Sequence, residues 1–237
     1  MGKDISIIIP AYNEAKRIVP TVKVVDHYLK DSGKSYEIIV VDDGSHDDTF
    51  SVLSDLSRHH KDLIIKRNEI NRGKGCAVRN GVLSSNGKLI LVSDADLSTP
   101  IEEVEKLLIW ISRGFDITIG SRALKGSEIV VRQHRHREWM GRIFNILVRL
   151  FVLRGFKDTQ CGFKIFKGDA ARDVFKRSRI DGFSFDVEIL YIARKLNYKI
   201  KEVSVRWANS NDSKVSIIKE PIKMIMELFR IRQSMKY

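Results

Sequence analysis

The stretch LILVSDAD, residues 89–96, joins an apolar run to two carboxylates that stand one residue apart. Four successive apolar residues are typical of a short strand that is buried on both faces of a sheet. In extended backbone, residues i and i+2 point the same way, so Asp94 and Asp96 present both carboxylates on one side. Like charges held so close repel each other, and their oxygens suit a hard divalent cation. The pair is therefore predicted to hold such an ion, shared with the phosphates of a substrate.

Similar apolar runs recur through the first half of the chain, at residues 5–10, 37–41, 63–66 and 116–120. Helix-like stretches separate these runs, at residues 15–29, 49–60, 74–84 and 102–112. Strands that alternate with helices predict an α/β fold with a mostly parallel sheet flanked by helices.

The alternation loosens after residue 122. The sequence predicts a strongly apolar helix over residues 137–154, with one side formed by Trp139, Ile143, Leu147 and Leu150. The elements expected next are a strand near 162–166, a helix over 185–195 and a strand over 199–205. A last amphipathic helix, over about 217–235, carries a basic polar face. Ordinary core packing and a place in the headgroup region of a membrane both remain open for the two amphipathic helices.

The bulk composition restricts the class of protein. The chain has 237 residues, a formal net charge of +12 and two cysteines, Cys76 and Cys161, which form no CxxC motif. No apolar run approaches the roughly 20 residues that cross a bilayer, and the N-terminus enters a strand at once, so neither a membrane span nor a secretory signal is expected. We expect a reduced, cytoplasmic protein with polyanionic partners.

Nucleic acid is one such partner, and the basic stretch 132–137 with Trp139 is its best evidence. A basic stretch with a nearby aromatic residue is a weak signal, and it leaves Asp94 and Asp96 unexplained. Nucleic acid is therefore not expected as a partner.

Three of the predicted strands end in polar residues: Pro10 to Glu14, Asp42 to Ser45, and Asp94 to Asp96. Ligands bind open parallel sheets beyond the carboxyl ends of the strands, so these tips converge on one crevice if the first strand is central. The glycine-rich turn 71–75 adds backbone N–H groups, Arg72 and Lys74, which are suited to a phosphate or a base. The turn matches neither a P-loop nor a GxGxxG motif. This argues against ATP hydrolysis and against a nicotinamide-dependent dehydrogenase as the function.

These motifs, in this order, resemble a known family. IIIPAYNE at 7–14, VVDDGS at 40–45, NRGKG at 71–75 and DAD at 94–96 are similar to the successive motifs of inverting family 2 glycosyltransferases with the GT-A (Rossmann-like) fold. In the second half, DTQCGFK at 158–164, FDVE at 185–188 and VRW at 205–207 resemble the polyprenyl-phosphate branch, above all the dolichyl-phosphate β-glucosyltransferases. The resemblance spans about residues 5–216.

The resemblance implies a role for each matched position. By this resemblance, the nucleoside pocket is lined by Pro10, Ala11, Tyr12 and Glu14. The edge of the base contacts Asp42 and Asp43, and the donor has further contacts with Arg72, Lys74 and Ala95. The resemblance assigns Mg²⁺ or Mn²⁺ to Asp94 and Asp96, and the acceptor phosphate to Arg122, Arg137 and Lys164. Asp158 and Asp186 are candidate bases or orienting groups; the alternative for Asp186 is a helix N-cap. Residues 1–122 then form the nucleotide-sugar-binding half of one domain, 123–216 its acceptor-binding half, and 217–237 a basic C-terminal helix.

The implied reaction is transfer of a hexose, glucose from UDP-glucose, to dolichyl or polyprenyl phosphate at the cytosolic membrane face. A phosphate monoester has a second pKa of about 6, so it is largely ionised near neutral pH and needs no general base. Arginines suit bidentate binding of such a group. Two alternatives stay open: GDP-mannose as the donor, and a sugar hydroxyl acceptor, which requires a carboxylate base.

Overall fold

The computed structural model describes residues 2–131, 135–209, 224 and 226–231, without the side chains of residues 135–138 and 142. Its main sheet contains β1 (Ile5–Ala11), β2 (Tyr36–Asp42), β3 (Leu63–Arg67), β4 (Leu89–Val92), β5 (Ile117–Ser121), β7 (Lys164–Lys167) and β8 (Ile200–Ser204). A second sheet pairs β6 (Glu128–Val131) with β9 (Arg206–Ala208).

Helices cover both faces of the main sheet. One face carries α1 (Ile18–Asp31), α2 (Thr49–Ser57) and, after a 3-10 turn at Ile101–Glu103, α4 (Val104–Ser112). The other carries α3 (Lys74–Ser84), α5 (Arg135–Phe151), α6 (Gly168–Arg177) and α7 (Phe185–Lys195). The predicted α/β class is confirmed.

The main sheet has the strand order β3-β2-β1-β4-β7-β5-β8. β1 lies between β2 and β4 and is parallel to both, so the first strand is central among the three polar strand ends, as the sequence argument required. β7 is antiparallel to β4 and to β5, and β8 is parallel to β5. The sheet is therefore mostly parallel, with one reversed strand that the sequence did not predict.

The apolar strands are continuous because both of their faces are covered. In β1, Ile8 packs into the core beneath α3 and α7, whereas Ile7 and Ile9 pack into the core beneath α1 and α4. All three side chains are fully buried. This two-sided burial explains why the strand lacks the polar alternation of a half-exposed strand.

Several predicted boundaries moved. α1 begins at Ile18 and not near residue 15, because the N–H groups of Arg17 and Ile18 both donate to the carbonyl of Glu14 in a preceding turn. α6, β6 and β9 were not predicted. The strands of both predicted halves share the main sheet, and the division at residues 122 and 216 stays a prediction.

Of the apolar side predicted for α5, Leu147 packs against the core, whereas Trp139, Ile143 and Leu150 are exposed. Phe144 and Val148 are buried. Most of the predicted terminal helix lies outside the described residues; Met224 and residues 226–231 are helical, and Met224 joins the core beside α7. In the part of the chain that the structure covers, no helix is both long enough and apolar enough to cross a membrane.

Candidate active site

A cleft of about 530 Å³ opens at the carboxyl ends of β1, β2 and β4. Most of the residues with a predicted donor role line it: Pro10, Ala11, Tyr12, Glu14, Asp43, Arg72, Lys74, Asp94, Ala95 and Asp96. The expected convergence of the three strand ends is therefore present in the fold, and the individual roles stay predictions.

The Asp43 carboxylate organises one wall of this cleft. Its Oδ1 accepts hydrogen bonds from Asn68 Nδ2 at 2.6 Å and from the backbone N–H of Arg72 at 3.1 Å. Its Oδ2 accepts the N–H of Gly73 at 2.7 Å. Gly73 has a φ of +109°, a conformation that favours glycine, and it ends this wall where α3 begins. Asp43 thus fixes the loop that carries Arg72 and Lys74 to the cleft.

Asp42 does not line the cleft, although the resemblance assigned it to the edge of the base. Its side chain is fully buried, with Oδ1 accepting the N–H of Ser45 at 3.1 Å and Oδ2 lying 3.2 Å from Nε of Arg67 on β3. Because neighbouring side chains of a strand point to opposite faces, only one of two adjacent aspartates can face the cleft. The contacts of Asp42 fit a structural role at the end of β2.

Three backbone N–H groups of the glycine-rich turn 71–75, and that of Cys76 after it, are bonded within the protein. Asp43 accepts those of Arg72 and Gly73, and the carbonyl of Asp181 accepts those of Gly75 at 2.7 Å and Cys76 at 3.2 Å. These bonded groups are not free for a phosphate, and the contact of the turn with a phosphate stays a prediction. The cationic side chains of the turn, Arg72 and Lys74, line the cleft.

Lys74 lies against the Asp-x-Asp pair. Its Nζ is 2.5 Å from Oδ1 of Asp94. Burial opposes the charged form of Lys74, but Asp94, then Asp186 and Asp96, outweigh burial and raise the pKa of the lysine. The lysine therefore stays protonated and supplies positive charge between the carboxylates.

Asp94 and Asp96 keep oxygens available for a metal ion. Asp96 Oδ1 accepts the N–H of Ser98 at 2.9 Å, and Asp94 Oδ1 lies 2.5 Å from Nζ of Lys74, so these contacts use one oxygen of each carboxylate. Within the described ranges, no cluster of three or more metal-binding side chains occurs. The pair therefore fits a hard cation that takes its remaining ligands from a bound diphosphate and water, which is the usual environment of Mg²⁺.

Gly162, in the segment before β7, packs directly against Asp94. A Cβ atom built on this glycine would lie 2.0 Å from Oδ2 of Asp94. The close approach explains why a residue without a side chain occupies this position. It also brings the second half of the chain into contact with the Asp-x-Asp pair.

Arg122 and Asp158 form a bidentate ion pair. Nε and Nη2 of Arg122 donate to Asp158 at 2.7 and 2.9 Å, and the arginine N–H donates at 3.0 Å. Burial acts to raise the pKa of Asp158, but Arg122 dominates and lowers it to about 2. The N–H of Asp158 itself donates to Glu202 at 2.8 Å, and the guanidinium lies 5.5 Å from the ring centre of Trp207. A carboxylate held this way suits the positioning of Arg122 better than proton abstraction.

Lys164 and Asp186 form a second pair, which is almost completely buried. Lys164 Nζ donates to Asp186 Oδ1 and to the carbonyl of Cys161, both at 2.5 Å. Burial raises the pKa of Asp186, and the attraction of Lys164 and Lys74 opposes that rise. Neither residue lines the cleft, so direct contact with an acceptor phosphate requires movement of Lys164. The N-cap prediction for Asp186 was wrong: Ser184 occupies the N-cap and Asp186 lies in the first turn of α7.

Arg137 belongs to the first turns of α5, but its side chain lies outside the described residues, so its predicted contact with the acceptor stays a prediction. Conversely, sequence reasoning missed the far wall of the cleft, which Gly182 and Phe183 form. Asp181 anchors this wall through ion pairs with Arg79 and Arg72. The Asp-Gly dipeptide at 181–182 is a turn signal, but nothing local indicates that the turn reaches the cleft.

Comparison with known proteins identifies the family of this chain. The model of the family described as Glycosyl transferase family 2 matches residues 6–175. The dolichyl-phosphate β-glucosyltransferase of Dictyostelium discoideum is 38% identical over 240 residues, covering 96% of this chain and 73% of the relative. The enzymes of the same name from Mus musculus and Saccharomyces cerevisiae are 37% and 36% identical, and each match covers 97% of this chain with 75% and 74% of the relative.

Solved structures share the fold. Glucosyl-3-phosphoglycerate synthase from Mycobacterium tuberculosis, in complex with Mn²⁺, UDP-glucose and phosphoglyceric acid, superposes with a TM-score of 0.70 at 18% identity, covering 97% of this chain and 80% of that one. A mannosyltransferase from Pyrobaculum calidifontis, with GDP-mannose and Mn²⁺, gives a TM-score of 0.58 at 19% identity, with coverages of 90% and 59%. The fold is therefore the GT-A fold. From the family match and these relatives, the chain belongs to glycosyl transferase family 2.

Proposed function

We propose that this glycosyltransferase moves glucose from UDP-glucose to a dolichyl or polyprenyl phosphate, with inversion at the anomeric carbon, on the cytosolic face of a membrane. The observation that carries the proposal is the cleft in which Asp94, Asp96 and Lys74 meet beside Tyr12 and Glu14. The acceptor and the sugar are taken from the names of relatives that match almost the whole chain.

The donor half of the site follows from the walls of the cleft. Tyr12 and Glu14 lie on the loop after β1, where the resemblance puts the base and the ribose. Asp43 acts on the donor through the loop that it holds, because both of its oxygens are bonded to that loop. Lys74, kept protonated by its carboxylate neighbours, provides charge for the diphosphate.

Asp94 and Asp96 would hold Mg²⁺ or Mn²⁺. A divalent ion bound there stabilises the negative charge that grows on the leaving diphosphate. Mn²⁺ accompanies UDP-glucose in the complex of the mycobacterial synthase and GDP-mannose in that of the archaeal mannosyltransferase, which supports a metal in this site.

On the acceptor side, Arg122 is the cation that we propose for the phosphate: it does not line the cleft itself, but Asp158 fixes its guanidinium on one edge. An oxygen of the acceptor phosphate forms a bond to the anomeric carbon while the bond from that carbon to the diphosphate breaks. UDP leaves with the electron pair, and the attack from the opposite side inverts the configuration. The acceptor is already an anion, so no protein group has to remove a proton. This chemistry agrees with the low pKa and the saturated contacts of Asp158.

Transfer of labelled sugar tests the proposal. The purified chain is incubated with labelled UDP-glucose or GDP-mannose and a short polyprenyl phosphate, with Mg²⁺, Mn²⁺ or EDTA. We expect label from UDP-glucose in the organic phase only when metal is present. Asp96→Asn should abolish the transfer, while Asp169→Asn, a matched change at a fully exposed aspartate, should leave it unchanged.

Two results would replace the proposal. Transfer from GDP-mannose alone would identify a mannosyltransferase. Transfer to a sugar hydroxyl but not to the lipid phosphate, with an essential carboxylate base, would identify a family member of the hydroxyl-acceptor type.

A further inference from the structure

Helix α5 has two apolar faces, and only one of them packs into the core. Phe144 and Val148 are buried beneath the neighbouring helices. A separate line of side chains at positions i, i+4, i+7 and i+11 faces outward: Trp139, Ile143, Ile146 and Leu150, which are 66%, 38%, 46% and 63% exposed. We call these four residues the α5 stripe. A helix on the surface of a soluble protein normally has polar residues on its outer face. The stripe therefore indicates a surface that binds another molecule.

The apolar surface continues beyond the helix. Phe151, next to Leu150, lies with its ring centre 6.2 Å from that of Phe229 in the C-terminal helical segment. Both rings are about half exposed, as is Met226. The stripe and these three side chains therefore form one patch that involves two separate parts of the chain.

A strongly basic rim borders the patch. Leu150 and Phe151 share a surface cavity of about 480 Å³ with four exposed cations: Arg149, Arg154, Arg194 and Lys195. No acidic side chain lines this cavity among the described residues. An anionic membrane surface has two layers, acyl chains and phosphate headgroups. The apolar side chains suit the acyl layer, and the cations beside them suit the headgroup phosphates.

We propose that the α5 stripe and its basic rim dock the protein on an anionic membrane, with the stripe at the boundary of headgroups and acyl chains and the rim on headgroup phosphates. The proposal rests on the proposed function in one respect: a polyprenyl phosphate acceptor resides in a membrane. The charge argues against a second copy as the occupant, because two chains that each carry a net charge of +12 repel each other.

Vesicle flotation of the full chain tests the docking. Phosphatidylcholine vesicles are compared with vesicles that also contain phosphatidylserine. Ile146→Gln/Leu150→Gln should weaken binding to both, by about tenfold per side chain removed from the apolar layer. Arg154→Gln and Lys195→Gln should each weaken binding about fivefold, and only to the anionic vesicles. The matched control, Val24→Gln/Ile109→Gln, alters side chains that are 47% and 50% exposed on the other layer of the fold and should change nothing.

Unchanged flotation of the Ile146/Leu150 variant, or no flotation of the wild type, would overturn the proposal. A wild-type dimer in light scattering that this variant converts to a monomer, with vesicle binding unaltered, would show that the face joins two copies and would also overturn it. Transfer of glucose to a short polyprenyl phosphate without vesicles separates this proposal from the proposed function. That activity should be equal in wild type and variant, and its absence from both would contradict the function without affecting the flotation result.

Discussion

Gly162→Ala should lower the rate of sugar transfer about 100-fold in a protein that still folds. The added methyl carbon would lie 2.0 Å from Oδ2 and 2.5 Å from Cγ of Asp94, whereas real Cβ contacts essentially never fall below 3.0 Å. The carboxylate has to give way by about 1 Å or more. Any such shift also changes the position of the carboxylate relative to Nζ of Lys74, which lies 2.5 Å from its other oxygen. The substitution therefore displaces a proposed metal ligand without touching the cleft directly.

The size of the effect follows from this displacement. A misplacement of about 1 Å in a positioned group costs on the order of 10²-fold in rate, which corresponds to about 2.7 kcal/mol of activation free energy. Overpacking by one carbon in a buried site costs about 1–3 kcal/mol of folding stability. We expect kcat/KM for glucose transfer to fall about 100-fold while the variant remains folded.

Steady-state transfer from UDP-glucose and thermal unfolding are measured on the same samples. Gly141→Ala is the control, since nothing lies within 4 Å of the Cβ that it would add in α5. It should keep full activity and gain stability, because alanine is favoured over glycine within a helix by about 0.5–1 kcal/mol. Wild-type activity in Gly162→Ala would refute the reasoning that Asp94 must keep its position.

Three further predictions concern buried carboxylates. Asp43→Ala should weaken UDP binding in calorimetry by about 1–3 kcal/mol, because it leaves the loop N–H groups of Arg72 and Gly73 without their acceptor; unchanged affinity would remove Asp43 from the donor site. Lys164→Met should lower the free energy of unfolding in urea by about 3–5 kcal/mol, because Asp186 then stays buried and unpaired, and Lys164→Met/Asp186→Leu should recover most of that loss. The pKa of Asp158 falls from 3.8 to about 2 on folding, so its pair with Arg122 stabilises the protein above about pH 4 and ceases to do so as the pH falls through 2. Asp158→Asn should lack this part of the acid dependence in thermal unfolding, and a curve parallel to that of the wild type would contradict the low pKa.

The sequence predicted the features of the fold and of the cleft that follow from local patterns of residues. Short, β-branched apolar runs such as ISIII in β1 are typical of strands covered on both faces, and their alternation with helix-like stretches predicted the α/β class. Polar residues at the strand ends then located the cleft, because the carboxyl ends of neighbouring parallel strands share one edge. Gly44 and Gly162 belong to motifs whose order alone indicated the family.

Contacts between distant segments were not predictable in this way. KIFK of β7 reads equally well as a parallel or an antiparallel strand, and its direction depends on the path of the chain from α5. The Asp181 carbonyl accepts the N–H groups of Gly75 and Cys76, and no pattern near either segment predicts this pairing. Periodicity predicted an apolar side of α5 that included Leu147 in place of Ile146, and it does not show whether protein or another surface covers such a side.

The late position of the reversed strand β7 in the sequence also affects how the chain folds during its synthesis. β1 to β4 pair with one another using residues 5–92, so this part of the sheet is able to assemble early in synthesis. The free side of β4 then stays open until residues 164–167 have left the ribosome. An unpaired edge of this kind is a site of aggregation, and pairings between distant segments form slowly. The nascent chain therefore passes through a stage with an exposed strand edge, where a holding chaperone has most to protect.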